Sequence, residues 1–87
     1  PTEAEWDAER LSWGSNNMYG AFASPLKLPV AGLRSNVGSL DNVGSYGSYW
    51  SSTVSGPSAR TLDFGSSSAY MRNDYRVYGA SVRCIKD

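Results

Sequence analysis

The chain has 87 residues and a formal net charge of zero, eight Lys plus Arg against eight Asp plus Glu with no run of like charge, which excludes nucleic-acid binding or a polybasic membrane patch driven by bulk charge. With no His and a single Cys84, it can form no zinc ligand set, no Ser-His or Cys-His nucleophile and no internal disulfide. Fifteen Ser, nine Gly and nine Tyr plus Trp form instead a mixture suited to recognition surfaces or to long loops.

In chain order, Thr2-Glu3-Ala4-Glu5 predicts a capping box and a helix from residue 3 to about residue 13. Glu3, Glu5 and Asp7 lie near its positive end and Arg10 toward the other. Trp6 and Trp13 are two turns apart, and Ala4, Ala8 and Leu11 form a neighbouring stripe, so one broad buried face is expected. Gly14-Ser15-Asn16-Asn17 stops the helix, and Met18 to Ser24, without a period, reads as loop. Leu26 to Gly32 alternates, with Pro29 confining it to an edge or the end of a strand. Ser35 to Ser48 carries Gly38, Asp41, Asn42, Gly44 and Gly47 and is expected to turn repeatedly, with Asp41-Asn42 as an Asx turn rather than a metal ligand pair.

Tyr49 to Val54 reads as a strand, Gly56-Pro57 as a turn, and Arg60 to Phe64 as the returning strand of a hairpin. Strict alternation puts Leu62 and Phe64 on one face and Thr61 and Asp63 on the other. Trp50 is expected in the core, Tyr49 partly packed and Tyr46 exposed. Gly65-Ser66-Ser67-Ser68 then breaks the pattern before Tyr70 to Tyr78, a polar, aromatic and unperiodic stretch. Ala80, Val82 and Cys84 alternate as one face of a closing core strand, making Cys84 an inert buried thiol, with Arg83 and Lys86 solvated. One helix followed by short antiparallel strands and long Gly/Ser-rich loops is an α+β domain spanning residues 1–87. No apolar stretch nears the ~18 residues of a membrane-crossing helix, so no membrane insertion is expected. The opening Pro1, with no initiating Met, is expected of the C-terminal part of a longer polypeptide.

Four segments in order carry a resemblance: Pro-Thr-Glu-Ala-Glu-Trp (1–6), Leu-Pro-Val-Ala-Gly (28–32), Asn-Val-Gly-Ser-Tyr-Gly-Ser-Tyr-Trp-Ser-Ser-Thr (42–53) and Ser-Val-Arg-Cys-Ile-Lys-Asp (81–87). The chain resembles the Fibrobacter succinogenes major paralogous domain, a group with a C-type-lectin-like fold, over nearly its whole length. The Arg-Leu pair usual before the first segment is missing here. Similar domains serve as variable proteins of diversity-generating retroelements, which mutate adenine-rich codons near the C-terminus to change a binding surface. Mutating an adenine-adenine-pyrimidine codon at its first two bases never yields Lys, Gln, Glu, Trp or Met, and residues 51–82 hold one Met and none of the other four.

The resemblance implies a receptor- or ligand-binding domain, a diversified recognition tip of a phage tail fibre or bacterial surface protein, located on the virion or the extracellular surface. Its expected contact residues are Tyr46, Ser58, Arg60, Asp63, Ser68, Tyr70, Arg72, Asn73, Asp74, Tyr75 and Tyr78. The expected partner is a cell-surface protein or glycan, with homo-oligomerisation as a trimer through the parent chain. The sugar-binding lectin motifs Glu-Pro-Asn, Gln-Pro-Asp and Trp-Asn-Asp do not occur, so no metal or cofactor is expected. Formylglycine-generating enzymes share the fold but need two reactive Cys residues, and no enzyme is expected here. The alternatives are a module that caps or oligomerises a fibre, and an enzyme-like remnant, which would require a closed pocket lined by Asp63 and Asp74 together.

Overall fold

A computed structural model of the chain describes residues 1–85, so the expected solvation of Lys86 falls outside the described residues. The domain is α+β: helices α1 (Glu3–Leu11) and α2 (Met18–Ala23), a two-stranded antiparallel ribbon of β1 (Leu33–Arg34) and β2 (Leu40–Asp41), and a three-stranded antiparallel sheet of β3 (Gly47–Ser55), β4 (Ser58–Phe64) and β5 (Ala69–Tyr75).

Both halves of the capping box form, with the Thr2 hydroxyl 3.2 Å from the Glu5 amide and the Glu5 carboxylate 2.8 Å from the Thr2 amide. The Thr2 amide and hydroxyl hold the Glu5 carboxyl below its ordinary value. Ala4, Ala8 and Leu11 are exposed, contrary to the expected stripe, because the helix is fastened through another side. The Glu3 amide donates to Thr53 Oγ1 (2.8 Å), the Glu3 carboxylate accepts from Arg60 (2.7 Å), and Trp6 Nε1 donates to the Trp50 carbonyl (3.0 Å). These ties turn Trp6 wholly inward.

Met18–Ala23, expected as loop, is a short helix. Asn17 caps it by accepting from the Tyr19 and Gly20 amides. Its turn lies so close to the preceding loop that a Cβ on Gly20 would overlap the Ser15 carbonyl. The following segment is not the expected strand. Pro29 has no amide to donate, Lys27 adopts φ 52°, and only Gly32 reaches a bridge, pairing with Gly47. The Asn42 turn, at φ 60°, is closed by its backbone carbonyl accepting from the Ser45 and Tyr46 amides, not by an Asx side chain.

β4 is the central strand, paired in register Asp63↔Tyr70, Thr61↔Arg72 and Ala59↔Asp74 with β5, and Tyr49↔Leu62 and Gly47↔Phe64 with β3. Its α1-side face carries the core: Trp6, Ala21, Leu28, Tyr49, Leu62, Phe64 and Ala69, with Trp13, Met18, Val30, Met71 and Ile85 packed against it. Tyr49 stacks on Phe64 (5.8 Å, 14° between planes) while Trp13 meets the same ring edge-on (5.9 Å, 88°). Tyr49 is more deeply buried than expected, its hydroxyl donating to the Pro29 carbonyl at 2.9 Å, and burial raises that hydroxyl's pKa against opposing effects of Ser81 and Arg83.

The closing segment also departs from expectation. Ser81 alone bridges to Tyr49, Val82 and Cys84 are exposed, and Ile85 supplies the inward contact. Cys84 is therefore a surface thiol, not a core residue. Trp50 is half-buried on the face opposite α1, not in the core, because its neighbour Tyr49 takes the inward position and adjacent strand residues point oppositely.

Gly47 is where this packing is least forgiving, since a Cβ there would run into the buried Phe64 ring. Gly47→Ala is expected to destabilise the domain by about 1–3 kcal/mol through overpacking, read as a lower urea midpoint at unchanged m-value.

Candidate functional site

Beyond Trp50, the outer face of the sheet gathers polar and charged side chains, where the inner face is aromatic. Thr61 and Asp63 from β4 and Tyr70, Arg72 and Asp74 from β5 share it by register, and Ser48 enters opposite Asp63 from β3. Asp63 is only 1% exposed, yet it is not stranded: Ser48 Oγ donates to Oδ1 (2.9 Å) and Tyr46 Oη to Oδ2 (2.8 Å), with the Arg72 guanidinium 3.7 Å away. Asp74, 5% exposed, accepts from Thr61 Oγ1 (3.2 Å) and lies 3.4 Å from Arg72 Nε. Tyr46 and Tyr70 join hydroxyl to hydroxyl at 2.8 Å.

The direction of these bonds follows from the chemistry of the end group. The Asp63 carboxylate accepts, so the single Tyr46 proton is committed to it, and Tyr70 must be the donor to Tyr46. Burial first, then the Tyr70 and Asp63 contacts, raise the Tyr46 pKa, keeping it a neutral donor. Burial opposes the Arg72 charge, but Asp74, Tyr46 and Asp63 outweigh it and raise its pKa. The Asp74 carboxyl is raised by burial and by the neighbouring Asp63, with Arg72 and Thr61 opposing.

In front of this cluster lies an open concavity of about 380 Å³, walled by Tyr46, Tyr70, Arg72, Asp74 and Tyr78 and closed by Asp41 and Asn42 of the ribbon side. The sequence-nominated residues divide around it. Tyr46, Tyr70, Arg72, Asp74 and Tyr78 line it, and Asp63 supports it from behind. Tyr75 closes β5 and meets Tyr78 edge-on at 6.1 Å. Arg60 and Asn73 face the opposite way, where Arg60 Nη1 donates to Asn73 Oδ1 (3.0 Å) while its Nε holds Glu3. Ser58 opens β4 and Ser68 lies in the loop beyond its other end, so the length of the strand, about 20 Å, separates them. Tyr46, expected as exposed, is half-buried against Asp63.

Asp41, Asn42 and Ser48 join the site without a signal in the sequence. Alternation put Thr61 and Asp63 together, but nothing in the chain order brings the ribbon over them. Among the described residues no group of His, Cys or acidic side chains is arranged to hold a metal ion, and no helix is long and apolar enough to cross a membrane. The family described as Domain of unknown function (DUF8237) matches residues 21–85, and the chain belongs to it. No curated protein and no solved structure matches the chain.

The raised Asp74 carboxyl makes a signed prediction. The folded state holds its proton to higher pH than the unfolded chain, so stability falls as pH rises from about 3.8 through the raised value. Asp74→Asn removes that contribution. The variant should gain stability relative to the parent as pH climbs through this window, measured as the difference between their urea midpoints.

Proposed function

We propose that the domain is a ligand- or receptor-binding module with a C-type-lectin-like fold, related to the Fibrobacter succinogenes major paralogous domain. It serves as the diversified recognition tip of a phage tail fibre or bacterial surface protein, and its target is a cell-surface protein or glycan. The observation that carries the reading is the concavity itself, where Tyr46, Tyr70, Arg72, Asp74 and Tyr78 converge on one face of a sheet whose other face is packed with aromatic rings. Tyr and Arg supply large contact areas and oriented hydrogen bonds with little entropy to lose. Binding is favoured over catalysis because Asp63 is engaged behind Ser48 and Tyr46, so the two carboxylates do not share one enclosed pocket. Sequencing many copies of this locus from a single population tests the reading. Substitutions gathered at Tyr70, Arg72, Tyr75 and Tyr78 support it; even scatter along the chain overturns it.

One observation favours a second reading, a capping or oligomerising module. Tyr19 and Phe22, 64% and 58% exposed, flank an apolar groove with Met18, Leu28, Pro29 and Val30. A trimer by light scattering that Phe22→Ser converts to monomer would support that role. A monomer at high concentration removes it.

A further inference from the structure

Resting on the recognition reading, we propose that the concavity takes a cationic side chain, Lys or Arg, presented by a protein segment. The proton order in the tyrosine chain is the first reason. Tyr46 donates to Asp63 and Tyr70 donates to Tyr46, so Tyr70 Oη faces outward with its proton already spent and can only accept. The ligand group that meets it must be a donor.

Charge is the second reason. Asp41 and Asp74 line the concavity, and Asp63 stands directly behind it. Arg72 is the cation among the lining residues, and it is shared between Asp63 at 3.7 Å and Asp74 at 3.4 Å. Among the described residues, three carboxylates against one guanidinium leave a negative site. Asp41 forms no ion pair among the described residues, although it lies at the rim. The rings of Tyr46, Tyr70 and Tyr78 add faces that attract a cation.

Arg72 indicates the protein source. Its Nε and one Nη are turned to the carboxylates and Tyr46 takes a further hydrogen bond, yet the five N–H donors of this half-exposed side chain exceed those partners. A peptide carbonyl beside the bound cation satisfies the remainder; a small free amine has none to offer.

Amide chemical shifts of the ¹⁵N-labelled chain, titrated with four probes, test this. The probes are acetyl-Gly-Lys-Gly-amide, acetyl-Gly-Glu-Gly-amide, methylammonium and a methyl galactoside. The Lys peptide should shift the amides of residues 41–42 and 70–78, with an affinity that falls as salt is added. Asp41→Asn should weaken it by about threefold and Tyr70→Phe, which keeps the ring, by about fivefold. Stronger shifts at the same amides from the Glu peptide or the galactoside overturn the cationic assignment and leave the recognition surface standing. Equal affinity for methylammonium overturns the protein source. Shifts from none of the four overturn the assignment, while the locus sequencing judges the recognition reading separately.

Discussion

The structure depends on the burial of β4 on both of its faces by two different kinds of chemistry. On one side Leu62 and Phe64 are sealed by Trp6, Tyr49 and Trp13, and their stabilisation scales with apolar area removed from water. On the other, Thr61 and Asp63 are equally inaccessible, and there burial is tolerated only because each polar atom has a partner. A carboxylate in such a place would be costly without the two hydroxyls aimed at it. The sheet can therefore present a polar, charged concavity without surrendering the rigidity of a core strand.

That arrangement also gives Asp63 a role different from contact. Chain alternation puts it with Tyr70 and Arg72, but the side chain ends beneath Tyr46, so its work is to fix the hydroxyls in front of it. Arg60 and Asn73, which look equivalent on paper, instead clamp α1 to the sheet through Glu3. The stretch from Tyr70 to Asp74 thus serves two surfaces, and the alternation of β5 decides which residue belongs to which.

How legible this was depends on how local the controlling interaction is. The capping box of Thr2 and Glu5 acts within one turn, and β3 and β4 meet across the Gly56-Pro57 turn, so both are written in adjacent residues. β5 was hidden because its outer face joins a polar partner, leaving no contrast of hydropathy between Tyr70, Arg72 and Asp74 and the intervening Asn73. α2 was hidden by its shortness; the Asn17 cap was present, but Gly20, a poor helix former, is there for close approach to Ser15. The alternation of Ala80, Val82 and Cys84 does not produce burial, because a single bridge at Ser81 holds the segment and leaves Val82 and Cys84 outside. The ribbon's contribution of Asp41 and Asn42 is a purely tertiary matter.

The unlike faces of β4 have one more effect, on misfolding. A hairpin displaced by a single residue would thrust Asp63 and Thr61 among the indoles and expel Leu62 and Phe64 into water. Errors of pairing are thereby punished twice, once by a desolvated charge and once by lost packing. The same residues that make the cleft polar also proofread the assembly of the sheet.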